Sequence, residues 1–545
     1  MPTTKKVALS MALLVLCLLL ATSLRFYGIE WGLPDASHPI ASYHPDELPT
    51  MLQAEWFGEG LYLPQQFVYG GTLYFRTVRA FLQLGDEFSP MLHQYNFAAD
   101  ALLAARYFMV VVSLLTLLLV YEGTRILRNE TLALLATFML AIMPAHVIIA
   151  QQMRPDEIGA LLVALQYFLA AKIFKLGNER SARTLLWLAA ITGGLMLAFR
   201  FPLLLFTGMP MLAWLLRVKT GFWQQAVRRT FPTIVPWCLV LIVLGYAIGS
   251  PQTFSYFDVF KAGMKVQWDF QSSPYPDAIG RGPIAFQYWW GMLHQALGYP
   301  LYFFAIGGLV LLLRRRQQSD WLLLAGLLPY MLMVSLTSWV VVRYTLPLLP
   351  LFAVVIAEII VVAARQLGVK VVAPVMAVTV VATLWALLAF LHMEAGTNVR
   401  ALTQQWVDQN IPRDQCILMV KAYAAEEMYN PNFSNTRCNG TTTLEAAPDF
   451  AAIFARDPIE YVLLHEHHYA SMERLGSAHP DHNSSNFYQA LMAAGFVVVH
   501  EEKTRPLLLG VDFSAWFTSM DMSYVNPGFR LYQRPVRDGK GTASR

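Results

Sequence analysis

The chain has 545 residues, 56% of them hydrophobic and only 14% charged, and its mean hydropathy is +0.44. That balance excludes an ordinary soluble globular protein of this length. The net charge of +4 is too small to argue for a nucleic-acid partner, so the useful signal is how Lys and Arg sort between loops.

Apolar runs long enough to cross ~30 Å of hydrocarbon recur as far as residue 392. Lys5 and Lys6 precede Val7 to Leu24, and no small-residue cleavage site follows, so this reads as an uncleaved first span with the N-terminus in the cytoplasm. Arg25 to about Ala99 is then a long outer loop whose mixed aromatic and polar residues suit short interfacial helices. Ala101 to Tyr121 returns to Arg125 and Arg128, Leu132 to Ala150 exits, and Ile158 to Phe174 comes back to Lys172, Lys175, Arg180 and Arg183.

Leu185 to Leu216 is too long for one crossing at ~1.5 Å per residue, and Arg200-Phe201-Pro202 interrupts it. An arginine at the bilayer centre would cost roughly 2.5–3.5 kcal/mol. Two short spans meeting at the outer surface avoid that cost and bring Arg217, Lys219, Arg228 and Arg229 back inside. Phe231 to Gly249 exits to a second long outer loop, and Tyr299 to Leu313, Trp321 to Val342, Tyr344 to Ala364 and Val371 to Leu391 complete about eleven spans.

The expected architecture is a polytopic α-helical membrane domain over residues 1–394 and a soluble, extracytoplasmic α/β domain over 395–545. In the latter, Arg400 to Gln409 reads as a helix and Cys416 to Val420, Tyr461 to Leu464 and Phe496 to Val499 as strands. Cys17 and Cys238 lie in apolar spans, whereas Cys416 and Cys438 could pair if the C-terminal part is outside. His465-Glu466-His467-His468, with His479 and His482, has no diagnostic zinc spacing.

The chemistry concentrates in two copies of Pro-Asp-Glu, each following an apolar span: Tyr43-His44-Pro45-Asp46-Glu47 and Arg154-Pro155-Asp156-Glu157. The topology puts both at one face of the membrane. Transporter sites favour the midplane and broken helices, whereas acids at span ends suit a reaction at headgroup level. Glycosyl transfer from a polyprenyl-phosphate sugar needs that layout, because the activated sugar arrives on a lipid. It needs a base for the acceptor hydroxyl and cations for the departing phosphate. Asp46 can be the base if burial and neighbouring carboxylates raise its pKa. Arg200 and Arg343 can hold phosphate through their planar forks. The structural alternative for both acidic pairs is helix capping, and for Arg343 a snorkelling anchor. Arg154 could simply pair with Asp156.

With Asp46-Glu47 in the first outer loop, Asp156 in the second, and Arg343-Tyr344-Thr345-Leu346-Pro347 matching an Arg-Tyr-x-x-Pro segment, the chain resembles the GT-C glycosyltransferases. It is most similar to the branch with protein O-mannosyltransferases and aminoarabinose transferases (family 39-like, bacterial type). Ala401 to Ile411 is similar to the start of the outer domain in many bacterial members. The resemblance implies catalytic roles for Asp46, Glu47 and Asp156, donor-phosphate contacts for Arg343 and Arg200, and His44, Glu157 and Arg154 as site neighbours. It implies a polyprenyl-phosphate sugar donor and a protein, lipid or polysaccharide acceptor. It also implies a multi-pass location in a bacterial inner membrane with the C-terminal domain outside. No cofactor is required by the sequence, although a divalent cation could be held by His44 and the carboxylates. The rival reading is a lipid-linked sugar flippase or transporter. A membrane scaffold would leave the repeated Pro-Asp-Glu unexplained.

Overall fold

A computed structural model describes residues 4–34, 42–44, 46–92, 97–217, 232–272, 282–421, 442–443, 449–456, 459–475, 483–523 and 525–535. Among these residues, six helices are long and apolar enough to cross a membrane: Val7–Phe26, Ala99–Leu127, Pro155–Lys175, Glu179–Phe199, Val342–Leu367 and Val369–Ala395. Two bent pairs are also long and apolar enough when taken together, each as a broken span or a re-entrant loop: Glu130–Ile142 with Pro144–Gln151 at 68° and Ile284–Leu297 with Tyr299–Arg315 at 119°. Three shorter apolar helices, Phe201–Arg217, Val235–Gly249 and Gln318–Val334, stand where the remaining spans are expected. The chain is an integral membrane protein, and its apolar helices follow the expected order.

The breaks have local causes. Pro144 lacks the N–H that would continue the helix begun at Glu130, and Met143 is extended at φ −65°, ψ 123°. Gly298 turns the second bent pair with φ 87°, a conformation that favours glycine. Arg200 is extended at φ −159°, ψ 111° and ends the helix Glu179–Phe199 as expected. The freed Phe201 N–H donates to the carbonyl of Tyr69 at 2.9 Å, so the first loop docks on this break. That loop carries two helices, Glu47–Gly58 and Leu73–Leu92, where interfacial helices are expected.

Packing between spans relies on small residues where backbones approach. A Cβ on Gly245 would lie 2.1 Å from the Ile191 carbonyl oxygen, and one on Gly194 only 2.0 Å from that of Ile242. At the end of the bundle away from the first loop, Arg128 bonds Asp320 at 2.5 Å and reaches Glu358, while Arg315 bonds the same two acids at 2.6 and 2.9 Å. This four-residue box, its acids buried and its arginines half-buried, ties four helices together.

The C-terminal region forms a five-stranded mixed sheet. Its strands in chain order are β1 (Ile417–Lys421), β2 (Thr442–Thr443), β3 (Tyr461–His465), β4 (Val497–Glu502) and, after a small hairpin of β5 (Leu507–Leu508) and β6 (Val511–Asp512), β7 (Phe529–Gln533). The spatial order is β2-β1-β3-β7-β4. β1 runs parallel to β2 and β3, and β7 antiparallel to β3 and β4. All of β3 is buried: Val462 and Leu464 face one apolar cluster with Phe454 and Phe487, Tyr461 and Leu463 another with Val399 and Val407. Such alternation requires cover on both faces, and helix Val399–Asn410 supplies one of them. Cys416 is disulfide-bonded, Cys17 and Cys238 are free, and Cys438, like His479 and His482, lies outside the described residues.

The chain between β4 and β7 leaves the sheet. Phe513, Phe517, Met522 and Val525 join the apolar core of the membrane helices. Trp385 Nε1–H donates to the Leu508 carbonyl at 3.1 Å.

The glycine contact gives a direct test of the helix packing. Gly245→Val should force the two helices apart and lower the melting temperature of the purified protein by several degrees. An unchanged unfolding curve in detergent would show that the helices are not in contact there.

Candidate active site

The two Pro-Asp-Glu segments meet. Glu47 accepts the Met153 N–H at 3.0 Å, and Arg154 Nη2 lies 2.8 Å from Asp46 Oδ2. Neither acidic pair caps its helix: Asp46 and Arg154 occupy the cap positions with no side-chain cap bond. The carboxylates turn instead to arginines.

From Asp46 a string of alternating charges runs through five parts of the chain. Arg154 also approaches Asp156, Nε to Oδ2 at 3.4 Å, and Asp156 in turn accepts from Arg200 Nη1. On the other side Arg343 Nη1 lies 3.7 Å from Asp46 Oδ2 and 2.7 Å from Asp521 Oδ1. The order is therefore Asp521, Arg343, Asp46, Arg154, Asp156, Arg200. Tyr344 lies beneath both ends of its outer part, with Arg200 and Arg343 4.6 and 5.7 Å from its ring centroid. Of the three carboxylates, Asp156 and Asp521 are 1% and 3% exposed, whereas Asp46 keeps 40% of its side chain open. The expected catalytic and phosphate-binding residues Asp46, Asp156, Arg200 and Arg343 thus share one site. Arg154 does more than pair with Asp156, since it links both acids.

Glu47 has a different place. It is fully buried and held by Arg106 through Nε–Oε1 at 3.0 Å and Nη2–Oε2 at 2.7 Å. Arg106 Nη1–H also donates to the Ile29 and Trp31 carbonyls, both at 2.7 Å. Glu47 is therefore placed as a clamp that shapes the loop, one layer behind the open Asp46. Glu157 is likewise buried, 3.3 Å from His146 Nε2. Arg25 Nη2 sits on His146 Nδ1 at 2.6 Å, so Glu157 braces the broken third pass from behind Asp156.

His44 is buried, with the Asp46 N–H 3.1 Å from Nδ1 and Arg154 Nη1 3.1 Å from Nε2. A neutral imidazole accepts at only one nitrogen, so one of these contacts is electrostatic alone. Burial first, and then Arg154, lower its pKa to about 4. The ring is uncharged at neutral pH.

The expected rise in the Asp46 pKa is reversed. Burial pushes it up, but the charges of Arg154 and Arg343 outweigh burial and hold it at about 2. The neighbours that sequence reading supplied were carboxylates; the neighbours in space are guanidiniums. Glu47 also stands at about 2, burial being overcome by the charge and hydrogen bonds of Arg106. Tyr69, raised to about 12 by burial and next by Asp46, stays a neutral donor beside the string. Each carboxylate already faces a guanidinium, and among the described residues no group of three or more His, Cys, Asp or Glu could hold a metal ion.

Sequence reading missed Arg106, Tyr69 and Asp521. Arg106 stands inside an apolar span, where an ionised residue is itself a flag. Asp521 carries no comparable signal.

Apolar passes, an acidic first loop closed on the second, and a mixed sheet beyond them make up the architecture. Residues 96–251 match the model of the dolichyl-phosphate-mannose-protein mannosyltransferase family. The fold is similar to that of the archaeal oligosaccharyltransferase AglB from Archaeoglobus fulgidus in complex with an inhibitory peptide and a dolichol-phosphate, with TM-score 0.54, 11% identity, and coverage of 96% of this chain and 78% of that one. The same organism's oligosaccharyltransferase tethered to an acceptor peptide with the NVT sequon gives 0.52 at 11%, covering 94% and 77%. ArnT from Cupriavidus metallidurans bound to undecaprenyl phosphate gives 0.47 at 11%, covering 97% and 98%. No curated protein matches the sequence.

Two outcomes follow from the Glu47 clamp. Glu47→Gln should destabilise the protein by about 3–5 kcal/mol, because Arg106 is left buried and unpaired, and Glu47→Leu/Arg106→Met should recover much of the loss. Equal melting temperatures for wild type and Glu47→Gln would refute the clamp. Both Asp46 and Glu47 sit below unfolded values of roughly 4. Their contribution to stability is complete above those values and lost as the pH falls towards 2. A melting temperature that is flat from pH 6 to pH 3 and below would contradict this.

Proposed function

We propose that the chain is an integral-membrane, inverting glycosyltransferase that moves a sugar from a polyprenyl-phosphate donor to an acceptor hydroxyl outside the cytoplasm. The observation that carries the reading is the exposure of Asp46. It is the acid of the string that stays 40% open, set among arginines suited to a phosphate.

In this reading Asp46 accepts the acceptor's hydroxyl proton as the new bond forms at the anomeric carbon. The bond from that carbon to the donor phosphate breaks on the opposite face. The phosphate charge falls to Arg200 and Arg343, with Tyr344 holding both guanidiniums from below. At a pKa of about 2 Asp46 is ionised but weakly basic, and general bases work best near the working pH. An arriving phosphate draws on Arg343 and adds negative charge, and both effects raise the basicity of Asp46. The string is thus a resting state that the donor itself activates. Its arginines supply the positive charge, so we propose that transfer needs no divalent cation.

The family model and the peptide-bound oligosaccharyltransferase support a protein acceptor. The disulfide at Cys416 supports an oxidising compartment for the C-terminal region. A bacterial inner-membrane location and a division of the chain at about residue 395 are part of this proposal.

The test incubates the purified protein in lipid with a panel of radiolabelled polyprenyl-phosphate sugars and peptide acceptors, with and without chelator. Transfer should survive chelation and fall about 10²–10⁴-fold in Asp46→Asn, the range for loss of a general base, in protein that still unfolds cooperatively on heating. Full transfer by Asp46→Asn would remove it as base. Donor binding without turnover across the panel would favour a flippase.

A further inference from the structure

We propose that Asp521, from the C-terminal region, is a positioning residue of this site: it holds Arg343 between two carboxylates and so keeps it from closing on Asp46. The proposal rests on the reading of the site as a donor-phosphate site.

Asp521 grips Arg343 at both ends. Its Oδ2 accepts the Arg343 backbone N–H at 3.0 Å and its Oδ1 accepts from Nη1 at 2.7 Å. The neighbouring Val342 N–H donates to Ser519 Oγ at 3.4 Å. The segment that carries Asp521 is itself fixed: Ser519 N–H donates to Gln295 Oε1 at 2.8 Å, Gln295 Nε2 donates to Thr518 Oγ1 at 3.0 Å, and Met522 is buried in the membrane-domain core. Asp521 is therefore delivered to Arg343 by a rigid support.

The geometry decides which acid Arg343 favours. The same Nη1 is 2.7 Å from Asp521 and 3.7 Å from Asp46, and Asp521 is buried while Asp46 is open. Attraction grows with proximity and with exclusion of water, so Asp521 wins, and Asp46, whose Oδ2 Arg154 already holds at 2.8 Å, gains no second close guanidinium. Three carboxylates balance three guanidiniums along the string. Without Asp521, three guanidiniums face two carboxylates, and Arg343 is free to close on Asp46. Two effects follow. An anionic lipid phosphate binds more tightly, and proton transfer to Asp46 slows.

These effects distinguish positioning from mere support, because a loosened segment would weaken binding. The experiment measures the affinity of the full-length protein in nanodiscs for undecaprenyl phosphate, and kcat with the donor found in the panel. Asp521→Asn should bind the lipid phosphate about ten-fold more tightly, from the uncompensated charge nearby, with kcat reduced at least as much. Asp521→Glu, which keeps the charge, should restore wild-type affinity. Thr518→Val, which loosens the same segment without changing charge, should not tighten binding. Weaker or unchanged binding in Asp521→Asn would overturn the proposal, as would the same tightening in Thr518→Val. Asp521→Ala is the second variant; failure of both it and Asp521→Asn to fold would make Asp521 a fold anchor and also overturn it. Absence of undecaprenyl-phosphate binding by the wild type would instead remove the donor-site reading beneath it.

Discussion

Electroneutrality at a membrane surface is the constraint on which this structure depends. Asp46, Asp156 and Asp521 lie among Arg154, Arg200 and Arg343, and five of these six side chains are almost entirely enclosed. A buried charge without a partner is costly, and a pair broken on one side more so. Each arginine is therefore retained by an acid, and each acid by an arginine. The fold around them consists largely of devices that bring these groups together: the loop docked on the break at Arg200, the bend at Pro144, and the turn that carries Arg343.

Repetition of Pro-Asp-Glu hides a division of labour. In the first copy the aspartate is open and the glutamate is locked to Arg106. In the second both acids are enclosed, Asp156 by arginines and Glu157 beside His146. The difference follows from what each segment leads into. Asp46 opens the helix Glu47–Gly58 of the outer loop, where water reaches one side. Asp156 opens a span packed among other spans. Adjacent residues on a first helical turn point in different directions, so each pair divides between the site and its support.

Much of this was legible in the sequence, for physical reasons. Spans announce themselves by length and hydropathy, and Arg200-Phe201-Pro202 gave away its break because an arginine and a proline both disfavour a continuous membrane helix. Strands β1 and β3 lie within a residue of their expected places, and β4 begins one residue later and ends three later than expected. What stayed hidden depends on long-range neighbours. A carboxylate's pKa is set by what surrounds it in space, and sequence adjacency offered Asp46 another carboxylate where the fold offers two arginines. Asp521 is separated from Arg343 by four of the sheet's five strands, and nothing in its local sequence marks it. Strand β7, although as long as β1 and β3, was missed because its partners β3 and β4 lie far back in the chain.

The contact between Arg343 and the returning C-terminal segment also orders events during synthesis. Asp46 and Asp156 enter the bilayer early, while Asp521 emerges almost last. At typical rates of 5–20 residues per second, roughly twenty to seventy seconds separate the second acid from the third. Once Arg343 has been made, and until Asp521 follows, the string carries three arginines against two acids. The finished charge balance exists only in a chain that has been translated and exported through β7, so an interrupted product is marked electrically as incomplete.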